Sequence, residues 1–263
     1  MFLLVKNKSL YLIGKIYSHI PKKIKAYLLL AFYRIVYIFY VSDKYYCPIC
    51  KSYFRKFLDN ISMDNRKNVL CPKCGSFERH RLIWLFLKRE TNLFKKSLKV
   101  LHFAPIFYQQ KIFKKLSNLD YLSVDLDSPL VMVKMDITNI LYRDNYFDVI
   151  LCNHVLEHVY DDKKALKELF RVLKQGGWAI ITCPIDYNRE KKFEDQFIKT
   201  AEDRKKHYGS QDHLRIYGRD FKGFLESVGF KVDELNYINS LPYNLVLKMC
   251  LNENEKIYFC IKE

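Results

Sequence analysis

The chain has 263 residues, 49% of them hydrophobic and 28% charged, which is the balance of a folded protein and excludes a disordered one. This length suffices for one α/β domain and a small accessory module. The net charge of +16 is concentrated at the front, because residues 1–42 carry +7, residues 43–98 carry +8, and the remainder only +1. Such a front end favours an anionic surface: phospholipid headgroups, a phosphorylated carrier or nucleic acid.

The amino-terminal segment, residues 1–42, is basic and apolar. Residues 26–41 read AYLLLAFYRIVYIFYV, which is shorter than the roughly 20 apolar residues of a membrane span and is interrupted by Arg34. Lys22, Lys23 and Lys25 precede it, and its tyrosines suit a membrane interface. We predict a helix in the plane of an anionic membrane; the alternatives are a helix packed on the folded body and a true span.

Four of the eight cysteines form two pairs, Cys47-Pro-Ile-Cys50 and Cys71-Pro-Lys-Cys74, separated by 20 residues. Two such pairs complete a tetrahedron of sulfur ligands, the closed shell of a structural zinc site. Four free thiols, the alternative, would leave a module too small for its own core. We therefore predict a zinc ribbon with a docking helix over residues 43–90, with a hairpin arm at 53–58 and the helix near 77–87.

The first residues lack the charged stretch, apolar core and small-residue cleavage site of a secretory signal. Paired cysteines in a reducing compartment are typical of metal binding rather than of disulfides. We expect a cytoplasmic protein, peripheral at the inner face of the membrane.

Residues 91–263 alternate strand and helix, which predicts a largely parallel sheet wrapped by helices. The predicted strands are 99–103, 121–125, 131–135, 147–152, 178–183, 230–237 and 257–261. The predicted helices follow the first strand, with an inner face at 112, 113 and 116, and span 163–174 and 220–228. Gly176-Gly177 is expected to end the second helix, and Asp220 to cap the third.

This order of elements, with Phe147-Asp-Val-Ile, Val155-Leu-Glu-His-Val159 and Arg171-Val-Leu-Lys-Gln-Gly-Gly177, resembles class I S-adenosylmethionine (SAM)-dependent methyltransferases, in particular those acting on small molecules and quinones. With the two cysteine pairs and Phe77-Glu-Arg-His-Arg81, it resembles bacterial methyltransferase-domain proteins with an amino-terminal zinc ribbon. The resemblance implies a Rossmann-like, seven-stranded class I sheet preceded by a ribbon and a helical segment.

The resemblance also implies a set of cofactor-binding residues at the carboxyl ends of the strands. Asp125 would accept hydrogen bonds from the ribose hydroxyls, a position also expected for a nucleotide-binding α/β unit. Asp136 would meet the adenine amine beside the Ile137 backbone. The full implied set is Phe103, Ala104, Pro105, Asp125, Leu126, Asp136, Ile137, Asn153 and His154. For Asp125 and Asp136, the alternative is an acid that only closes a turn.

One turn departs from the family pattern. The turn after the first strand normally contains glycine, because backbone must approach the cofactor and adopt a positive φ. Here it reads His102-Phe-Ala-Pro-Ile106 and contains none. Ala104 is small, but Pro105 fixes φ and removes a donor. This departure keeps open a non-catalytic adaptor with a lapsed methyltransferase domain.

His154 and His158 are the candidate catalytic bases, since a hydroxyl acceptor needs a proton acceptor nearby. His158 could instead be a packed histidine, and Glu157 with His158 could bind a divalent cation. The polar stretch 207–218 is expected to form a lid over the acceptor, with Asp212, His213, Arg215 and Tyr217 as its binding residues and Arg215 suited to an anionic group. The alternative is a structural, salt-bridged loop.

The acceptor is expected to be a small molecule, a glycan or a lipid-linked compound, with cell-surface polysaccharide synthesis as a candidate pathway. An RNA methyltransferase is the rival, because a ribbon and basic charge could hold phosphates. Against RNA, the fourth strand ends in Cys-Asn-His-Val, without the Asn/Asp-Pro-Pro-aromatic turn by which many methylases of base amines hold their target.

Overall fold

The computed structural model describes residues 20–60 and 66–263. Its helices are α1 (Lys22–Val36), α2 (Glu78–Arg89), α3 (Phe107–Phe113), α4 (Asp162–Val172), α5 (Ala201–Tyr208), α6 (Phe221–Glu226) and α7 (Tyr243–Met249), with short 3-10 turns at Tyr37–Tyr40, Leu156–His158 and Tyr237–Ser240. Its strands are β1 (Val41–Cys47), β2 (Ser52–Phe54), β3 (Leu58–Asn60), β4 (Arg66–Leu70), β5 (Leu98–Phe103), β6 (Leu119–Asp125), β7 (Val133–Lys134), β8 (Phe147–Asn153), β9 (Leu173–Thr182), β10 (Lys231–Leu235) and β11 (Ile257–Ile261).

The central sheet has seven strands in the order β10-β11-β9-β8-β5-β6-β7. Strands β5 to β9 run parallel, whereas β11 is antiparallel to both of its neighbours, β9 and β10. The order reverses between β5 and β8, which in an open α/β sheet creates a crevice at the carboxyl ends of the strands. This arrangement is the Rossmann-like class I methyltransferase fold, so the predicted fold class is confirmed.

The central strands are buried on both faces, which explains their continuous apolar runs. Side chains of one strand alternate between two cores: Val149 and Leu151 of β8 point into one, and Ile150 and Cys152 into the other. The first core also contains the cysteines and α2, so one face of the sheet is covered by the amino-terminal part of the chain.

The cysteine-rich region, residues 41–77, contains two small antiparallel pairs, β1 with β2 and β3 with β4. We call this region the cysteine module. Helix α2 follows it with Leu82, Trp84 and Phe86 buried, and the Phe86 ring meets the Phe259 ring of β11 at 5.7 Å between centroids. The predicted docking helix therefore exists and packs on the sheet.

Three local predictions were wrong. The third sheet strand is only Val133–Lys134, shorter than predicted. Helix α4 ends at Val172, and Gly176-Gly177 lies inside β9 instead of capping the helix. A Cβ on Gly177 would lie 2.9 Å from the Asp148 carbonyl oxygen, so the glycine permits close strand contact. Asp220 precedes α6 but makes no side-chain cap; its carboxylate accepts from the Lys192 amide at 3.1 Å.

Helix α1 confirms that the front segment is helical from Lys22 onward, while residues 1–19 of the predicted segment lie outside the described residues. In the part of the chain that the structure describes, no helix has the length and apolar character needed to cross a bilayer.

Candidate active site and metal centre

The four cysteines of the two pairs converge on one point. The sulfurs of Cys47 and Cys74 are 3.6 Å apart, those of Cys50 and Cys71 are 3.7 Å apart, and all four lie within 4.8 Å of one another. Four sulfurs at about 2.3 Å from a zinc ion would be separated by roughly 3.8 Å. All four side chains are buried. The geometry therefore fits a single tetrahedral ion.

Arg81 joins this module to the end of the sheet domain. Its guanidinium is completely buried and donates to the carbonyl oxygens of Val69 and Ser76 in the module, both at 2.9 Å. It also donates to the carbonyl oxygens of Met249 (2.7 Å) and Cys250 (3.1 Å) at the end of α7. A buried cation is tolerated only when it is well hydrogen-bonded, and here carbonyls of both regions supply the partners.

The glycine-free turn after β5 nevertheless has the backbone shape that glycine usually provides. Ala104 has a φ of +46°, and its amide donates to the Val124 carbonyl of β6 at 2.9 Å. His154, just after the neighbouring strand β8, has a φ of +55°, and its amide donates to the Thr182 carbonyl of β9 at 2.8 Å. Left-handed backbone in a non-glycine residue is strained, and such strain collects at functional sites.

The predicted ribose and adenine residues follow β6 and β7. Asp125 ends β6, and one of its carboxylate oxygens accepts from the amides of Asp127 (2.8 Å) and Ser128 (2.7 Å). Leu126 beside it is exposed. Asp136 is exposed and accepts from the amide and hydroxyl of Thr138, while Ile137 is buried. Both acids thus close local turns. The second oxygen of Asp125 accepts no hydrogen bond from the described residues, so it can receive a ligand.

A cleft of about 760 Å³ opens beside β8 and β9. It is bounded by the cysteine module on one side and by loops at the carboxyl ends of the strands on the other. Its polar walls include Arg66, Arg79, His154, Glu157, His158, Tyr187, Tyr208, His213 and Glu255. Of the predicted cofactor-binding residues, only His154 lines this cleft. The cleft and the predicted cofactor-binding residues therefore meet at His154, just after β8.

A buried histidine–glutamate pair lies at the floor of the cleft. His154 Nδ1 is 3.2 Å from Glu157 Oε1, and the Glu157 side chain is only 1% exposed. Burial of Glu157 acts to raise the pKa of its carboxyl group. The contact with His154 and the charges of His154 and His158 outweigh burial and lower this pKa to about 2. Burial and the charge of Arg79 act to lower the pKa of His154, but Glu157 and Glu255 outweigh them and raise it. The Glu157 carboxylate therefore favours the protonated form of His154.

His158 is the more open residue of the site, and the buried His213 packs against it. Their rings meet edge to face with centroids 4.9 Å apart, and His158 Nδ1 is 3.2 Å from the Asp212 carbonyl oxygen. One ligand atom each from Glu157, His158 and His213 lies within 4.8 Å of the others, a spacing that could hold a cation. The His158 side chain is 33% exposed, so it can reach a molecule in the cleft.

The structure does not bring Arg215 and Tyr217 into the cleft. All five N–H groups of Arg215 are used, by the Glu194 carboxylate and by the carbonyls of residues 156, 159 and 160. Tyr217 is fully buried and donates to Asp162 Oδ2 at 2.8 Å. These two residues hold the lid segment to the sheet domain, as in the structural alternative, and leave no donor for a substrate. His213 lines the cleft, whereas Asp212 does not line it and lies against His158.

Sequence reasoning missed the contribution of the cysteine module and the last loop to the cleft. Arg66 and Arg79 come from β4 and α2, and Glu255 from the loop before β11. No local pattern marks these positions, because only the packing of the module on the sheet brings them to one place. The only related feature of the sequence is the excess of basic residues between 43 and 98, and this excess does not indicate which of them lie at the cleft.

Comparison with known proteins agrees with the fold. Residues 98–181 match the family model of the methyltransferase domain. The ubiquinone/menaquinone biosynthesis C-methyltransferase UbiE of Vibrio cholerae is 29% identical over 111 residues, which cover 37% of this chain and 42% of that protein. The chain thus matches less than half the length of this curated relative. The domain match supports a SAM-dependent methyltransferase.

Two solved structures of low identity are also similar. The 1,6-didemethyltoxoflavin-N1-methyltransferase of Burkholderia thailandensis, bound to its substrate and S-adenosylhomocysteine, has a TM-score of 0.49 and 11% identity, over 70% of this chain and 78% of that chain. The YcgJ protein of Bacillus subtilis has a TM-score of 0.43 and 16% identity, over 69% of this chain and 94% of that chain. The fold assignment rests on the strand order of the central sheet and not on these two similarities.

The strain at Ala104 predicts the effect of restoring glycine. Ala104→Gly should raise the free energy of unfolding by up to about 1 kcal/mol, because glycine adopts the left-handed backbone without the Cβ penalty. For a chain of this size the melting temperature should rise by roughly 2 to 4 °C, measured by circular dichroism. Ala165→Gly, in the interior of α4, is the control and should destabilise by about 1 kcal/mol or more. A loss of stability in Ala104→Gly would contradict the strained turn.

The His154–Glu157 pair predicts a pKa change in a single variant. In Glu157→Gln, burial, Arg79 and Glu255 remain while the carboxylate charge of Glu157 is gone, so the pKa of His154 should fall. A histidine ring titration by NMR measures this directly. Asp212→Asn, which alters the carboxylate 3.5 Å from His158, is the control and should leave His154 unchanged.

The same pair determines a pH dependence of stability. Glu157, with its lowered pKa, stabilises the fold above about pH 4.5 and loses this effect as the pH falls; His154, with its raised pKa, stabilises below about pH 6.5 and loses its effect as the pH rises. The stability difference between the native chain and Glu157→Gln should be greatest between these values. An unchanged His154 pKa in the variant would refute the pairing.

Proposed function

We propose that the chain is a SAM-dependent methyltransferase whose acceptor binds in the cleft between the cysteine module and the carboxyl ends of β8 and β9. The supporting observation is the pair of left-handed residues, Ala104 and His154, at the adjoining ends of the two strands where the order of a class I sheet reverses. Ligands bind at such a reversal in open α/β sheets. The turn at Ala104 would receive the cofactor, and His154 borders the cleft.

The residues at the strand ends fit the cofactor. The Ala104 backbone has the turn shape that close approach requires, with Phe103 and Pro105 beside it, and Asp125 keeps one carboxylate oxygen for the ribose hydroxyls. Asp136 and the Ile137 backbone would bind the adenine, while Leu126 and Asn153 complete the walls. When bound, SAM supplies a methyl group on a positively charged sulfur; the protein holds the acceptor in line with it and excludes water.

The two candidate catalytic histidines have different roles in this proposal. His154 lies between Glu157 and Glu255, which favour its protonated form, and in that form it would orient the acceptor and stabilise negative charge on it. His158 is the accessible base: if Nδ1 donates to the Asp212 carbonyl, Nε2 carries the lone pair and can take the proton from an acceptor hydroxyl. This assignment sharpens the sequence-based prediction, in which either histidine could be the base.

For the cysteine centre we propose a structural zinc ion bound by Cys47, Cys50, Cys71 and Cys74. The support is the near-tetrahedral spacing of four buried sulfurs, which leaves no open position for a substrate. The ion would stabilise a module whose strands have three to seven residues and little core of their own.

The acceptor class that the cleft supports is a small organic molecule, free or linked to a glycan or a lipid. A volume of about 760 Å³ is in the range of small-molecule pockets, and the half-buried Tyr187 ring offers flat apolar surface. The quinone methyltransferase named above acts on a small molecule, in keeping with this class. Polysaccharide synthesis at the cell surface is a candidate pathway, while methylation of RNA and a non-catalytic adaptor role are the rival outcomes.

Native mass spectrometry of the purified chain tests the cofactor. We expect co-purified SAM or S-adenosylhomocysteine, and a roughly 10- to 100-fold weaker affinity for SAM in Asp125→Asn, because a charged acceptor for the ribose is lost while the oxygen that closes the turn is kept. Asp127→Asn, two residues away in the same turn, is the matched control and should retain the cofactor. Zinc, counted in the same spectra, should be one ion per chain, lost in Cys71→Ser.

Each contrary result has a clear meaning. No binding of SAM to folded, zinc-loaded protein in calorimetry would refute the enzyme and favour the adaptor. Full retention of cofactor in Asp125→Asn would refute the ribose assignment. Tight, structure-selective binding of RNA would overturn the proposed acceptor class.

A further inference from the structure

Helix α1 and the 3-10 turn after it present two different faces. One face, formed by residues 26, 30, 33, 37 and 40, is half-buried against the rest of the chain. Its spacing of three and four residues marks one side of a helix. No residue of α1 is fully buried, so this contact covers only that side.

The inward face is held by specific contacts. The Tyr33 ring lies 3.2 Å from where a Cβ of Gly75 would be, directly against the second cysteine pair, and burial with the nearby Cys71 and Cys74 raises the pKa of Tyr33 to about 12. Lys22 Nζ forms an ion pair with Asp127 Oδ2 at 3.1 Å. Helix α1 therefore contacts both the module, through Tyr33, and the loop after β6, through Lys22.

The opposite face carries a row of large apolar side chains that no other described part of the chain covers. The row repeats at three- and four-residue intervals, and its members are between 43% and 69% exposed: Ile24, Leu28, Phe32, Ile35 and Phe39. We call these five residues the outer stripe. Tyr27 and Ile38 flank it and are 53% and 60% exposed. A contiguous exposed patch of this kind marks an interaction surface.

Positive charge surrounds the outer stripe. Between residues 20 and 42 the chain contains Lys22, Lys23, Lys25 and Arg34 and no acidic residue. Two further basic side chains, Arg55 and Lys73 of the module, lie over the rings of Tyr40 and Tyr37 and therefore on the inward side of the helix. An apolar row flanked by lysine, arginine and tyrosine is the pattern of a helix that lies in a membrane interface.

We infer that the outer stripe docks the protein on an anionic lipid surface. The positive charge of the front end favours a lipid surface over a second copy of the chain as the partner of the outer stripe. A second copy of this chain would bring a like-charged front end against the stripe, whereas anionic headgroups attract it and receive the apolar side chains at the acyl boundary. The attachment through Tyr33 and Lys22 then fixes the module, and with it the cleft, relative to the lipid surface.

Sedimentation with lipid vesicles tests this inference on the full chain. We expect binding to vesicles of phosphatidylglycerol and phosphatidylcholine in equal parts, weakened by salt, and at least tenfold weaker binding to phosphatidylcholine alone. Ile35→Glu with Phe39→Glu should abolish binding without loss of fold. Leu141→Glu with Leu247→Glu, exposed apolar residues elsewhere, is the matched control and should bind like the native chain.

Two double variants that remove positive charge separate the electrostatic contribution to lipid binding from the contribution of the apolar side chains. Lys23→Gln with Arg34→Gln should reduce binding to the anionic vesicles severalfold, whereas Lys205→Gln with Lys206→Gln on α5 should not. Equal binding to both kinds of vesicle, or none by the folded native chain, would overturn the inference. Unfolding of the Ile35→Glu, Phe39→Glu variant would show that another part of the chain covers the outer stripe. If the native chain is a dimer and this variant is a monomer, the outer stripe binds a second copy of the chain. Either result would also overturn it.

Discussion

Arg81 is the interaction on which the arrangement of the molecule depends. Its buried guanidinium takes carbonyl partners from the cysteine module and from the end of α7 at the same time. It also lies 4.2 Å from the centre of the Phe57 ring, which fills the space between the two hairpins. A cation without water must keep these partners, so a shift between module and sheet domain that removed some of the carbonyls while Arg81 stayed buried would be strongly destabilising.

The cleft is a consequence of that junction. One of its walls belongs to β4 and α2, whose place is fixed by Arg81, and the others are loops at the carboxyl ends of the strands. Within the cleft, the buried carboxylate of Glu157 contacts His154, and the more exposed His158 beside it faces the open space. Strain at Ala104 and His154 is tolerated because the neighbouring strands accept both amides.

Much of the fold could be predicted from the sequence, since the signals are local. Two cysteine pairs of fixed spacing indicated a metal centre, and alternating apolar segments placed five of the seven strands closely. The exceptions have a physical cause. Gly176 and Gly177 look like a helix cap, but they serve β9, where a Cβ would meet the backbone of β8. The third strand is short because only Val133 and Lys134 reach β6.

The site was less predictable, because it depends on contacts between distant segments. The type and position of His154 and His158 were visible from the motif at the end of β8. Whether a polar residue faces a cleft or a buried network was not visible: Arg215 has the composition of a substrate-binding residue, yet five internal acceptors use all its donors. Arg81 and Glu255 act only through tertiary packing.

Calorimetric unfolding of the zinc-loaded chain, compared with the chain stripped by a chelator, tests most directly the claim that module and methyltransferase domain form one unit. We expect a single cooperative unfolding transition in the zinc-loaded protein that includes both regions. Its midpoint should move to clearly lower temperature when the metal is removed. Two independent transitions, with the larger one unaffected by the chelator, would contradict it.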